Sequence, residues 1–132
     1  MVASMAVTRA MDRDLQAQAG LAIAEHHLLA VINEAGENGI RPTELALVST
    51  LSKSGLTRAV DRLEALGFID RRTCPTDGRG LLLVLTPKGR QKLRRSAPEF
   101  FRSVARNFAD HLSEHEIDAV TVAFERIGLS SR

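Results

Sequence analysis

The feature that most constrains the fold is a pair of short amphipathic helix patterns separated by only three residues. Pro42 suits the first turn of a helix, and a short apolar pattern over 43–49 follows it. Ser52 is a good N-terminal cap for a second helix over 53–66, whose apolar residues recur three and four positions apart. Gly67 is typical of the position just beyond a helix. Two helices joined by so short a turn indicate a helix-turn-helix unit.

Two strand patterns follow this unit, and a further helix pattern over 22–35 precedes it. Residues 68–73 predict one strand, and the five apolar residues over 81–85 predict another. Between them, 74–80 is rich in Pro, Asp and Gly, which predicts a turn-rich tip. The sequence therefore predicts a mainly α fold with a small β-hairpin wing, a winged helix-turn-helix.

Helix patterns also occupy both ends of the chain. One covers 7–19, and Thr86 with Pro87 begins a long helix near the C-terminal end. Pro98 lies inside that helix and predicts a kink, and Ser113 opens a capping box for the last helix. These terminal helices carry more apolar surface than one small domain can cover, which predicts a homodimer.

Charge is distributed unevenly along the chain, although the net charge is only +2. Residues 41–95 contain 12 Lys and Arg against 5 Asp and Glu, a net charge of +7, and the remainder carries −5. A basic middle between acidic ends suggests a surface that faces a polyanion. Chance clustering of solvated charges is the competing interpretation.

Hydrogen-bond donors cluster near the N-terminus of the second helix of the helix-turn-helix, which in such units enters the major groove of DNA. They are Ser52, Lys53, Ser54, Thr57 and Arg58. Arg contacts guanine through two hydrogen bonds, Ser and Thr reach bases or phosphates, and Lys neutralises phosphate. This pattern predicts binding to duplex DNA.

Five segments in this order and spacing resemble the MarR family of multiple-antibiotic-resistance regulators. They are TELA (43–46), LTRAVDRLE (56–64), GFIDRR (67–72), DGR (77–79) and LTPKGR (85–90). The resemblance covers roughly residues 8 to 128. It implies a single domain over 1–132, with a DNA-binding part at 21–90 and a helical dimerisation part at 1–20 and 91–132.

The resemblance also implies roles for the wing. Arg79 would enter the minor groove, where a narrow groove concentrates negative potential. Asp77 would stabilise the wing tip through a salt bridge, and Arg71 and Arg72 would lie near phosphates. The complete set expected to contact DNA is Thr43, Ser52, Lys53, Ser54, Thr57, Arg58, Arg62, Arg71, Arg72 and Arg79. The competing interpretation of Arg79 is a solvated charge in a loop.

In the family the first and last two helices of two copies interlock. The residues expected at this interface are Val7, Met11, Leu15, Phe101, Val104, Phe108, Ile117, Val120 and Phe124. The expected function is a sequence-specific, ligand-responsive transcriptional repressor that binds a pseudo-palindromic operator as a homodimer. The competing class is a winged-helix module for protein–protein contact, but such a module would usually lack Lys53, Arg58 and Arg79.

Many relatives bind small aromatic ligands between the DNA-binding and dimerisation parts. His26 and Phe68 are the candidates here for contact with a small aromatic effector. The competing interpretation, which we favour, is that the polar residues of this helix are partly exposed and bind nothing.

Metal- and redox-sensing regulators of the same fold are two further alternatives. The metal candidates are Glu25, His26, His27, His111 and His115, but they match zinc-sensing relatives only in part, and we expect no metal. Cys74 is the one cysteine, and its position at the wing favours a bystander thiol over a redox sensor.

Several functional classes are disfavoured by the sequence. It has no Gly-rich phosphate loop, no nucleophile elbow and no metal-ligand cluster within one predicted element, so we expect neither an enzyme nor a cofactor. No apolar run is long enough to span a bilayer, and 1–10 does not resemble a signal peptide. A single cysteine suits a reducing compartment, so we expect a cytoplasmic protein.

Overall fold

The computed structural model describes residues 2–74 and 77–130. Its helices and strands are α1 (Val2–Ala19), α2 (Ile23–Glu34), α3 (Pro42–Val48), α4 (Lys53–Ala65), β1 (Ile69–Cys74), β2 (Asp77–Leu85), α5 (Pro87–Asn107) and α6 (Glu114–Ser130). Short 3₁₀ turns over Gly36–Asn38 and Ala109–His111 follow α2 and α5. This architecture confirms the predicted winged helix-turn-helix.

The boundaries of α4 follow from local chemistry, as predicted. At its start the Ser52 hydroxyl accepts a hydrogen bond from the Gly55 amide at 3.2 Å. At its end Gly67 adopts a φ of 73°, a left-handed conformation that favours glycine. The Phe68 amide then donates to the Leu63 carbonyl at 2.9 Å, which closes a Schellman motif. The chain therefore leaves α4 directly into β1.

The hairpin is longer than the sequence predicted. Ile69 pairs with Leu85 and Thr73 with Leu81, after which a register shift leads to a Cys74–Asp77 pair. The residues that join the strands, 75 and 76, lie outside the described part. The turn predicted over 74–80 was therefore too long, because Gly78 and Gly80 belong to β2. The prediction was wrong here because glycine is typical of turns.

One apolar core joins the helix-turn-helix to the hairpin. Its buried members are Leu21, Leu28, Leu29, Ile32, Leu45, Leu56, Val60, Leu63, Phe68, Ile69, Leu83 and Leu85. Ile40 extends the sheet by one bridge, because its amide and carbonyl both pair with Leu83, at 3.0 and 2.8 Å. The inward side of α4 is thus fixed against the core, which leaves the opposite side facing solvent.

The terminal helix α1 packs against α5, and this contact corrects one prediction. Leu15, expected at a dimer interface, is only 1% exposed within the single chain. Beside it, Asp14 accepts hydrogen bonds from Ser103 at 2.9 Å and from Asn107 at 2.8 Å. Leu15 faces inward because α1 and α5 already form a helix pair within one chain.

The last helix, α6, projects from this helix pair with its apolar side chains uncovered. Phe124 is 69% exposed, and every side chain over 114–127 is exposed except the half-buried Val120. Its start matches the predicted capping box, because Ser113 and Glu116 exchange backbone and side-chain hydrogen bonds. None of the helices in the described ranges has the length and apolarity needed to cross a membrane.

Candidate nucleic-acid interface

The solvent-facing side of α4 carries the donors that the sequence predicted. Lys53, Ser54, Thr57 and Arg58 are all exposed, and they are referred to below as the reading face. With Ser52 they line an open depression of about 730 Å³. The Thr57 hydroxyl donates to the Lys53 carbonyl at 3.0 Å, which leaves its lone pairs free to accept. This face offers cationic and hydroxyl groups on a rigid helix, the chemistry that contacts bases and phosphates.

A second cavity, of about 450 Å³, lies between α3, α4 and the hairpin beside the reading face. Its walls are mostly apolar, including Leu45, Leu56 and Leu83. Thr43, Lys53 and Arg71 also line it, so Thr43 lies on the same side of the molecule as the reading face.

Two arginines expected to contact DNA have partners within the chain. Arg62 forms a 2.5 Å ion pair with Glu25 on α2. Arg71 pairs with Asp61 at 2.5 Å and with Glu64 at 3.0 Å, which ties β1 to α4. Sequence spacing did not reveal these pairs, because Arg62 and Glu25 are 37 positions apart.

The wing is described only in part. Arg72 is exposed on β1, as expected of a residue near phosphates. The backbone of β2 includes Asp77 and Arg79, but the side chains of both lie outside the described part of the chain. Their roles at the wing tip and in the minor groove therefore remain predictions.

Cys74, the redox alternative, is 7% exposed. The Arg41 guanidinium donates from Nη2 to the Cys74 Sγ at 3.7 Å. Burial of this kind limits attack by an oxidant, which favours a bystander thiol.

His26, a candidate for effector contact, is buried between α2 and α5. Its ring stacks on Phe100 with centroids 4.8 Å apart, and Nδ1 lies 2.9 Å from the Ser96 hydroxyl. This burial contradicts the interpretation of His26 as a partly exposed polar residue. The reason is the long α5 helix, which covers α2 and supplies both partners.

Phe68, the other candidate, lines a separate cavity of about 380 Å³ between α1 and α5. Lys88 and Lys92 lie above its ring, at 5.4 and 5.6 Å from the centroid. Lys88 also donates to the Leu66 carbonyl at 2.7 Å, and Lys92 donates to that of Ala19. Ser96 lines this cavity and also meets His26, so it joins the two candidates.

Burial lowers the pKa of His26 below the usual histidine value, and the adjacent His27 lowers it further. The unfolded chain therefore binds a proton at higher pH than the folded chain. The resulting stability is fully present above about pH 6.5 and is lost as the pH falls through the lower pKa of the folded state. Urea unfolding between pH 7.5 and 5.5 should show this fall, and His26→Gln should make it shallower. His27→Gln, at an exposed neighbouring position, should retain most of the fall, because burial is the larger cause of the lowered pKa of His26. Equal slopes in all three proteins would contradict the assignment to His26.

The metal candidates do not assemble into a site. Within the described residues, no group of three or more His, Cys, Asp and Glu side chains could hold a metal ion. Glu25 is engaged by Arg62, and His26 by Ser96. His111 ends a 3₁₀ turn while His115 lies in α6, so their spacing of four does not place them on one helix.

Comparisons with known proteins agree with this architecture. A model of the MarR family matches residues 19–80. The MarR family regulator Sco3205 from Streptomyces coelicolor, solved in complex with DNA, is 30% identical, with a TM-score of 0.84 over 99% of this chain and 85% of that one. AbsC from the same organism is also 30% identical, with a TM-score of 0.82 over 99% and 88% of the two chains. The HTH-type transcriptional repressor YetL of Bacillus subtilis is 28% identical over 83% of this chain and 68% of its own length. This chain therefore belongs to the MarR family of winged helix-turn-helix transcriptional regulators.

Proposed function

We propose that this protein represses transcription by binding a pseudo-palindromic operator as a homodimer, with one α4 helix in each of two successive major grooves. The observation that carries the proposal is the reading face, where exposed Lys53, Ser54, Thr57 and Arg58 stand on a helix whose other side is fixed in the core. Half-sites should lie about 10 bp apart, one turn of the duplex.

Each residue of the reading face has a distinct role in this proposal. Arg58 reads guanine, Ser54 accepts from or donates to base edges, Thr57 accepts from them, and Lys53 neutralises phosphate. Ser52 mainly caps α4, because its hydroxyl is engaged by the Gly55 amide. Thr43 on α3, Arg72 on β1 and Arg79 on the wing extend the contact along the DNA backbone and into the minor groove.

The test of this function is a fluorescence-anisotropy titration with DNA fragments from upstream of the protein's own gene, at several salt concentrations. Binding should weaken as salt rises, with a linear slope on logarithmic axes, because phosphate contacts release counterions. Absence of binding at low salt to every upstream fragment would overturn the proposal.

The dimer rests on apolar side chains that one chain leaves uncovered. Phe101 is 67% exposed on α5, Phe108 is 41% exposed, and Phe124 on α6 is 69% exposed. Ile117 is also exposed, whereas the other expected interface residues Val7, Met11, Val104 and Val120 are half-buried. A second copy that covers α6 and the adjoining side of α5 would remove this apolar area from water.

Replacing Phe101 and Phe124 together with glutamate should convert the protein from dimer to monomer, because two buried charges per copy would face an apolar interface. Light scattering at micromolar concentration should give twice the 14.4 kDa chain mass for the parent and the chain mass for the variant. Leu47→Glu is the matched control, since Leu47 is 86% exposed but lies on α3, away from α5 and α6. A parent of single-chain mass, or a double variant that stays dimeric, would refute this interface.

A small aromatic effector is the proposed signal, and the cavity beside Phe68 and Ser96 is its site, with His26 behind Ser96. The support is the position of this cavity, because Lys88 and Lys92 connect it to the C-terminal ends of α4 and α1. A thermal-shift screen with aromatic acids tests it, since a ligand that prefers the folded chain raises its melting temperature.

A further inference from the structure

Two ion pairs tie the reading helix to neighbouring elements. Successive residues of an α-helix are about 100° apart, so Arg62 lies about 40° from Arg58 at one edge of the reading face. Asp61 projects between the directions of Ser54 and Thr57, one to two turns further along that face. Arg62 pairs with Glu25 of α2, and Asp61 pairs with Arg71 of β1. The helix is thus tied to α2 from the edge of its reading face and to β1 from the face itself.

Glu25 is a firmer anchor than a surface carboxylate. Its side chain is only 10% exposed, whereas that of Arg62 is 45% exposed. One carboxylate oxygen accepts from the Ala22 amide at 2.9 Å, which caps α2, and the other accepts from Arg62 at 2.5 Å. Exposed ion pairs hold their partners loosely, but a carboxylate fixed by burial and a second hydrogen bond restricts the arginine to one geometry.

The orientation of α4 matters because recognition tolerates little displacement. Side chains reach roughly 5–6 Å from a helix axis, so a rotation of about 10° moves their ends by about 1 Å. Binding constellations must be held within about 0.5 Å of the productive geometry. Apolar packing holds α4 against the core. The ion pair between Arg62 and Glu25 adds a directional restraint on the rotation of α4 about its axis.

We propose that Glu25 and Arg62 are positioning residues for operator recognition: their ion pair sets the rotation of α4, and Arg62 does so without contacting DNA. The inference depends on the proposed function, because it assigns how the reading face is presented to an operator. It reassigns Arg62 from a DNA contact to an internal restraint that acts through Ser54, Thr57 and Arg58.

Glu25→Gln isolates the ion pair, because glutamine retains the volume and can still cap α2, while the charge facing Arg62 is lost. We expect the variant dimer to bind its operator about 10-fold more weakly. Binding to unrelated duplex DNA and the salt slope should both match the parent, because no phosphate contact is removed. A purely structural defect would instead lower both affinities and the unfolding midpoint.

Arg62→Gln should give the same loss with the same salt slope, and the double variant should bind no more weakly than either single variant, because both changes break one interaction. Arg62 is the more exposed partner, so this variant carries the test if Glu25→Gln fails to fold. Glu34→Gln is the matched control: it removes an exposed carboxylate from the same helix as Glu25 while the Glu25–Arg62 pair stays in place, so operator affinity should be unchanged.

Three results would overturn the inference. A salt slope lowered by about 1 for each lost contact in Arg62→Gln would show that Arg62 binds phosphate. Tighter operator binding by Glu25→Gln would show that Glu25 withholds Arg62 from DNA. Operator binding by Glu25→Gln and Arg62→Gln equal to that of the parent would refute a positioning role while leaving the proposed function intact. A parent that binds no DNA would refute the proposed function instead.

Discussion

Arg58→Ala should remove most of the preference for the operator over unrelated DNA while leaving a folded dimer. Arg58 is exposed on the reading face, where a guanidinium can meet the two acceptors of one guanine. Such a contact contributes about 1–3 kcal/mol, and a dimer makes it in both half-sites, so the expected loss is about 2–6 kcal/mol. Each 1.4 kcal/mol is tenfold, which gives a loss of about 30-fold to 10⁴-fold in operator affinity.

The measurement is competition between operator and scrambled duplex at fixed salt, because specificity is a ratio of affinities. Lys53→Ala should have a different effect from Arg58→Ala. It should lower the affinity for both duplexes by a similar factor and reduce the slope of affinity against salt concentration. Arg94→Ala, which removes an exposed arginine from α5, controls for net charge. If Arg58→Ala retained the ratio of the parent, base recognition would have to reside in another residue.

Gly89→Ala should destabilise the fold by about 3 kcal/mol, at the upper end of the usual cost of overpacking. A β-carbon at this buried position would lie 1.9 Å from the Phe68 carbonyl oxygen and 2.6 Å from Leu85 Cδ2. The Phe68 carbonyl cannot move freely, because it accepts from the Thr86 amide at 3.0 Å. The first turn of α5 therefore touches the backbone that leaves α4, and only glycine fits between them.

Urea unfolding measures this loss, and an insoluble variant would agree with it. Gly78→Ala is the matched control, because a β-carbon there meets no atom within 4 Å, and its unfolding free energy should stay within about 0.5 kcal/mol of the parent. A Gly89→Ala protein as stable as Gly78→Ala would mean that the contact between α5 and Phe68 is looser than described.

Features fixed by neighbouring residues could be predicted from the sequence. Ser52 caps α4, Gly67 ends it and Ser113 begins α6, because each interaction spans only a few positions. The spacing of the apolar residues in α4 also predicted which side of the helix is buried in the core. The reading face is the opposite side. The helix-turn-helix and the candidate DNA contacts on α4 follow from such local signals.

The extent of α1 and the contacts between residues far apart in the sequence were harder to predict. Helix α1 begins at Val2, five residues before the predicted start, because its first residues favour helix without showing an apolar period. Leu15 shows the period of an interface residue, but periodicity does not say whether the covering helix belongs to the same chain. The partners of Arg62 and Arg71 depend on how α2, α4 and β1 pack, which spacing along one element does not encode.

The exposed helix α6 affects how the amount of dimer depends on the concentration of the protein. If a second copy covers Phe124 and its neighbours, then below the dissociation constant of the dimer the amount of DNA-binding species rises with the square of the amount of chain. A twofold change in supply then gives about a fourfold change in dimer, by the same mass action. The apolar surface of α6, which is exposed in the single chain, would in this way make the regulated promoter more sensitive to small changes in repressor concentration.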